Sequence, residues 1–208
     1  MWINKTGRVS DRIELIGNIE NCMYLVKGKE IMIIGGGMSF LAPTLEKQFN
    51  RLDLDPERVR YQLVLHSHFD HCGAVSYCKK RFPNLEVLAS AYAKETLSKE
   101  KVIRIIESMN HDVVTSMGLN HEYGNMKLKF KAIPVDRVVK EGDIIDLGEG
   151  TDVRIFEIPG HSKCSIAGYV ESEKMLFPSD SFPIPVNGDY EQLLPMPNDN
   201  FPTYVESL

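Results

Sequence analysis

The chain has one tryptophan and four cysteines in 208 residues. None of Cys22, Cys72, Cys78 and Cys164 belongs to a Cys-x-x-Cys pair, which excludes a zinc ribbon and a thioredoxin-type redox motif. Free thiols fit a reducing compartment, and the N-terminus lacks a basic stretch followed by an apolar one, so a cytoplasmic location is expected. Long apolar runs are missing too. The run Ile31–Ile34 falls far below the roughly 20 residues of a membrane-spanning helix, and no membrane partner is expected. Positive charge is not in excess. With 24 Lys plus Arg against 29 Asp plus Glu, the net charge of -5 supplies no general field for polyanions, so no nucleic-acid partner is expected. Gly35-Gly36-Gly37-Met38-Ser39-Phe40 has neither Gly-x-Gly-x-x-Gly spacing nor a Gly-Lys-Ser/Thr ending. It reads as a tight turn rather than a nucleotide loop. Internal repeats and low-complexity tracts are absent. Apolar residues at 43% and charged residues at 25% describe a globular chain, and the length predicts one domain over residues 1–208.

Alternating apolar positions broken by glycines predict three sequential strands within the first forty residues. Pro43–Phe49 and Pro56–Val59 read as helices, the second with Asp55 as N-cap. Tyr61–Leu65 is a strand, Gly73–Phe82 a helix, Leu85–Ala89 a strand and Ala91–Leu97 a helix, which is the alternation of an α/β core. Val102, Ile105, Ile106, Met109, Val113 and Met117 recur at helical spacing, so about 99–117 forms an amphipathic helical insert. Asn125–Val135 alternates with Lys127, Lys129 and Lys131 on one face, the wet side of a strand. Short strands follow near Ile144-Ile145, Val153–Ile158, Ala167–Val170 and Met175–Phe177. Pro202–Leu208 reads as the start of a helix that stops before it can bury an apolar face.

The chemistry concentrates in His66-Ser67-His68-Phe69-Asp70-His71, directly after an apolar strand. At this chain's composition, His-x-His-x-Asp-His arises by chance about 3 times in 10,000. Imidazole and carboxylate are the ligands that borderline divalent metals take. Alternation along the loop aims His66 and His68 one way and Asp70 and His71 another, which predicts two neighbouring ions. Further ligands should come from later strand ends, where α/β folds gather their sites. His161 follows Val153–Ile158 through Pro159-Gly160, and Asp180, with two oxygens to bridge ions, follows Met175–Phe177. Cys72 and Cys164 lie beside ligand positions and read as buried packing residues. His111 and His121 read as surface residues.

These motifs, with Pro159-Gly160-His161-Ser162 and Ser179-Asp180, resemble the metallo-β-lactamase-fold hydrolase superfamily in order and spacing over nearly the whole chain. The resemblance implies an α/β fold, the αβ/βα sandwich, here without its C-terminal part. It implies that His66, His68 and His161 hold one metal, Asp70 and His71 a second, and that Asp180 bridges both. Asp70-His71-Cys72-Gly73, Arg81-Phe82-Pro83-Asn84, Val87-Leu88-Ala89-Ser90 and the helix Val102–Asn110 resemble the branch containing the di-iron 2-aminobenzoylacetyl-CoA thioesterase of quinolone signalling. Two departures stand out. Ile34-Gly35-Gly36-Gly37 replaces a frequent Asp-x-Gly, and no histidine follows His161 to complete the second site. One tight and one weakened ion site are therefore expected.

Two divalent ions, zinc or iron with manganese also suited, would activate a water near neutral pH for attack on an electrophilic carbonyl or phosphorus. Asp70 is the expected catalytic residue, orienting the nucleophile and handling its proton. The expected enzyme is a metal-dependent hydrolase of a small-molecule thioester or similar activated acyl substrate, with the 99–117 helix as a wall or lid. Lactonase or phosphodiesterase activity, di-iron chemistry with oxygen or nitric oxide as in flavodiiron proteins, and a regulatory protein with little turnover are the alternatives. Flavodiiron proteins carry Glu at the position of His68, which counts against that class here.

Overall fold

The computed structural model describes residues 5–126, 132–186 and 189–208. Strands β1 (Gly7–Arg8), β2 (Ile13–Gly17), β3 (Cys22–Lys27) and β4 (Ile31–Ile34) form an antiparallel meander, and helix α1 (Ala42–Arg51) follows. Then β5 (Val59–Leu63), α2 (Val75–Arg81), β6 (Glu86–Ala89), α3 (Ala91–Leu97), α4 (Glu100–Ser116), α5 (Asn120–Asn125) and β7 (Arg137–Val138) continue the sheet with parallel strands. Its order is β1-β2-β3-β4-β5-β6-β7. A second, antiparallel sheet is built from β8 (Ile144–Gly148), β9 (Thr151–Glu157), β10 (Ile166–Val170) and β11 (Met175–Phe177), in the order β11-β10-β9-β8. A hairpin of β12 (Ile184–Val186) and β13 (Asp189–Leu194) and helix α6 (Phe201–Glu206) complete the chain.

The period-2 geometry of a strand explains why β4 is apolar at every position. Met32 and Ile34 face the second sheet and pack with Val153, Ile155, Ile166 and Phe177. Ile31 and Ile33 face the other way, into α1 and α2, beside Leu45, Phe49 and Cys78. The first sheet is thus covered on both faces. The second is not: β8 and β9 alternate buried and open positions. Its outer face carries Phe156, Tyr169 and Leu176, which with Phe182 and the end of α6 line a cavity of about 580 Å³. A third cluster joins the chain after β5 to α3 and α4 through Val64, Cys72, Ala93, Leu97 and Ile106.

Three expectations are corrected. Residues 56–58 form a single turn, closed by Arg58 N–H to the Asp55 carbonyl (3.1 Å) and by Glu57 N–H to Asp55 Oδ1 (3.0 Å). Val59 already belongs to β5, because one isolated helical turn is unfavourable and β4 offers it a ladder. The strand expected over 125–135 is not formed at either described end: Asn125 closes α5, and residues 132–136 lie outside any strand, although Ile133 and Val135 are buried. Lys127, Lys129 and Lys131 lie outside the described residues. The C-terminal segment does bury a side chain, since Tyr204 of α6 has no exposed surface. No helix of the described residues is long and apolar enough to cross a membrane.

Candidate metal centre

The loop from His66 to Ala74 leaves the end of β5 and is held on three sides. On the first, the glycine turn lies directly beneath it. Gly73 and Ala74 donate N–H groups to the carbonyls of Gly37 (2.7 Å) and Gly36 (2.9 Å). A Cβ at Gly36 would sit 2.4 Å from the His71 carbonyl oxygen, so only glycine permits this approach. On the second side, α4 presents Asn110, which is 2% exposed. Its Nδ2 donates to the Phe69 carbonyl (3.0 Å), between His68 and Asp70, while its Oδ1 accepts the Ser39 N–H (2.8 Å). On the third, Cys164 Sγ accepts the Ser67 N–H (3.3 Å). Cys72 donates its thiol to the His68 carbonyl (3.1 Å), and burial pushes that thiol's pKa up. Cys72 thus packs within the loop and Cys164 against it.

His161 enters from the end of β9, and the C-terminal segment wraps its turn. Gly160 has φ of 124° and lies against α6, where an added Cβ would stand 2.3 Å from Tyr204 Cα. Asp199 and Asn200 donate N–H groups to the Gly160 carbonyl (3.1 and 3.0 Å), and Ser207 Oγ donates to the Pro159 carbonyl (2.8 Å). His161 Nδ1 donates to the Met196 carbonyl (2.6 Å), which leaves Nε2 as an acceptor directed at the site. Asp180 comes from a short 3-10 turn, Ser179–Ser181, after β11. Ser179 there takes a left-handed φ of 51°, sparsely used outside glycine, and its Oγ lies 3.3 Å from Nδ1 of both His66 and His71.

The structure brings His66, His68, His161 and Asp180 together, their ligand atoms all within 4.8 Å of one another. His161 Nε2 is 3.1 Å from His68 Nδ1, and Asp180 Oδ2 lies 3.4 Å from His161 Nε2 and 3.8 Å from His66 Nε2. Ligands about 2.1 Å from a tetrahedral ion stand about 3.4 Å apart, so these separations suit such an ion. His66 Nε2 is buried without a hydrogen-bond partner among the described residues, an orphan that a cation would satisfy. His71 Nε2 lies 3.2 Å from Asp180 Oδ2 and 3.3 Å from Asp70 Oδ2, so Asp180 touches both halves of the cluster. His111 and His121 are exposed and absent from this cluster.

The halves differ electrically. Burial lowers the pKa of His66 well below the ordinary imidazole value, aided by repulsion from His71, His68 and His161. Burial and His161 also lower that of His68. For His71, burial works downward, but hydrogen bonds and charge from Asp180 and Asp70 outweigh it and raise the pKa to about 9. Burial would raise both carboxyls, and their contacts with His71 hold them below their ordinary range instead.

Sequence reasoning missed Met196, Ser179 as a shared contact of two imidazoles, and Asn110 as the tether of the loop. Met196 acts through a carbonyl that every residue possesses, so no residue type could have marked it. Ser179 lay beside a named ligand, and Asn110 is a polar residue on an apolar helix stripe; either could have been flagged.

An α/β scaffold whose sheet edges bring four histidines and two aspartates together defines a protein of the α/β class with a cluster able to hold a metal ion. The family model described as the metallo-beta-lactamase superfamily matches residues 15–208, and the chain belongs to that superfamily. It is 25% identical over 167 residues to diflavin flavoprotein A 2 of Nostoc sp. and 22% identical to the anaerobic nitric oxide reductase flavorubredoxin of Pectobacterium carotovorum. Each alignment covers 76% of this chain, which spans 22% and 26% of those two proteins. An archaeal metallo-beta-lactamase superfamily protein from Sulfolobus tokodaii has the same fold, with TM-score 0.63 and 22% identity over 94% of this chain and 73% of that one.

Proposed function

We propose that the chain is a metal-dependent hydrolase of a thioester or similarly activated acyl compound. The observation that carries this reading is a cluster of buried and half-buried donor residues, one of which, His68, also lines an apolar cavity. That cavity, about 560 Å³, is lined by Ser67 and His68 and by Val102, Ile106 and Met109 of α4. Its size and apolar wall suit a small organic ligand.

His66, His68, His161 and Asp180 would hold one divalent ion, and Asp70, His71 and the shared Asp180 a second. Bound there, such ions supply Lewis acidity and lower the pKa of water. The protein's own residues do the rest. Asp70 is held ionised and 34% exposed, so its carboxylate can orient a water and accept its proton. Ser179 and the Met196 carbonyl keep the imidazoles in one orientation. Helix α4 shields one side of the reaction space from water. The test is metal analysis of protein expressed without added metal, followed by assay on thioester, lactone and phosphodiester panels. Thioester turnover that chelator abolishes and the metal restores is the expected result; activity confined to phosphodiesters would refute the reading.

The two flavoprotein relatives favour a second reading, redox chemistry at an iron pair. Iron at both sites, with consumption of nitric oxide or oxygen under an external reductant and no acyl hydrolysis, would replace the first reading by this one.

A further inference from the structure

Helix α4 does not hide all its apolar surface. Ile106 and Val114 are buried, yet Ile105 is 48% and Met109 38% exposed, and Tyr92 of α3, 59% exposed, stands beside them on the same cavity. An amphipathic helix packed only for stability turns such side chains inward. Here they line a groove together with His68 of the candidate ligand loop and with Cys164, which packs against that loop. The slightly larger cavity on the outer face of the second sheet touches none of the six candidate ligands.

We infer that this groove holds the apolar chain of the acyl group, and that Ile105 and Met109 set the chain length accepted. The inference rests on the acyl-hydrolase reading and specifies its substrate class: an elongated, unbranched apolar acyl group whose carbonyl lies at His68. Continuity between the groove and His68 fixes the direction of the chain. Polar groups at the rim support the choice. Lys99 is paired with Glu95 (2.8 Å), while Lys163, next but one after His161, has no ion-pair partner among the described residues. A cationic acyl group would meet that charge, whereas a neutral chain or an anionic leaving group would not be repelled.

The test uses the metal-loaded chain and two readouts, hydrolysis of saturated acyl thioesters of increasing length and calorimetric binding of the matching carboxylates. Each methylene entering the groove should raise kcat/KM and carboxylate affinity roughly three- to fourfold until the groove is full. Met109→Trp should move that plateau to shorter chains, and Ile105→Asp should flatten the length dependence. Both side chains are partly exposed, and circular dichroism checks that the variants remain folded. Rates and affinities independent of length, or length profiles unchanged in both variants, would overturn the inference while leaving hydrolysis intact. Length-dependent carboxylate binding without turnover of any thioester would uphold the groove and remove the hydrolase reading.

Discussion

The two halves of the candidate centre are built from the same residue types but are supported differently. His66 and His161 are 1% and 5% exposed, whereas the side chains of His71 and Asp70 are 25% and 34% exposed. His66 and His68 are driven toward the neutral form that binds metal, while His71 is driven toward the charged form by two carboxylates. His161 is tied to the backbone of the C-terminal segment; His71 and Asp70 are tied chiefly to each other and to Asp180. The difference teaches that low solvent access and a fixed tautomer prepare the histidine half for an ion, and that the carboxylate half must first give up a proton.

The largest expected effect is at the histidine half. His161→Ala should weaken the tighter ion at least about 100-fold, whereas His71→Ala should chiefly affect the weaker ion. Calorimetric titration of both variants checks this, and equal losses in the two would erase the comparison. Gly160→Ala tests the C-terminal support. Its Cβ would press on the Tyr204 backbone at a φ that disfavours alanine, so a loss of at least about 2 kcal/mol in urea unfolding is expected, with weaker binding of the tighter ion. An unchanged unfolding midpoint would show that α6 does not brace His161.

Asn110→Ala removes the tether between α4 and the loop and leaves the Phe69 carbonyl and Ser39 N–H without their partner. About 1–3 kcal/mol of stability should be lost, and Asn110→Asp, which can still accept from Ser39 but sets a buried carboxylate oxygen against the Phe69 and Ile106 carbonyls, should lose at least as much. A smaller loss in Asn110→Asp than in Asn110→Ala would show that the Ser39 contact, and not the bond to Phe69, carries the tether. The smallest effect is that of pH on chelator-treated protein. His71 has its pKa raised above the ordinary 6.5, so its stabilisation is complete below 6.5 and is lost as pH rises through about 9. His66 and His68 have lowered values, so their contribution has the opposite slope and falls as pH drops below 6.5. Melting temperature should therefore decline between pH 6.5 and about 9, and His71→Gln should remove that decline. A decline that survives in His71→Gln would assign it to another group.

Much of the architecture was legible in residue order. The apolar and polar order of β2 and β3, the helix spacing of α4 and the full apolarity of β4 follow from local geometry and from burial on two faces. The convergence of these side chains was legible because His66, His68, Asp70 and His71 fall within one loop, and His161 and Asp180 follow strand ends. The short turn at 56–58 was misread because a proline after an aspartate suits a helix start and a turn equally, and pairing with β4 decided between them. Tyr204 was misread because its partner, Gly160, is 44 residues away in the chain.

The sequence alone determined the kinds of donor atom, the strand ends that carry them and the apolar stripe of α4, since all of these depend on residue type and short-range spacing. Only the tertiary structure decided that α4 stands beside His68, that Met196 and Tyr204 brace His161, and that burial favours the neutral form of His66 and His68 while two carboxylates favour the charged form of His71. Those properties depend on burial and on contacts between residues far apart in the chain, and no local pattern encodes a distance across the fold.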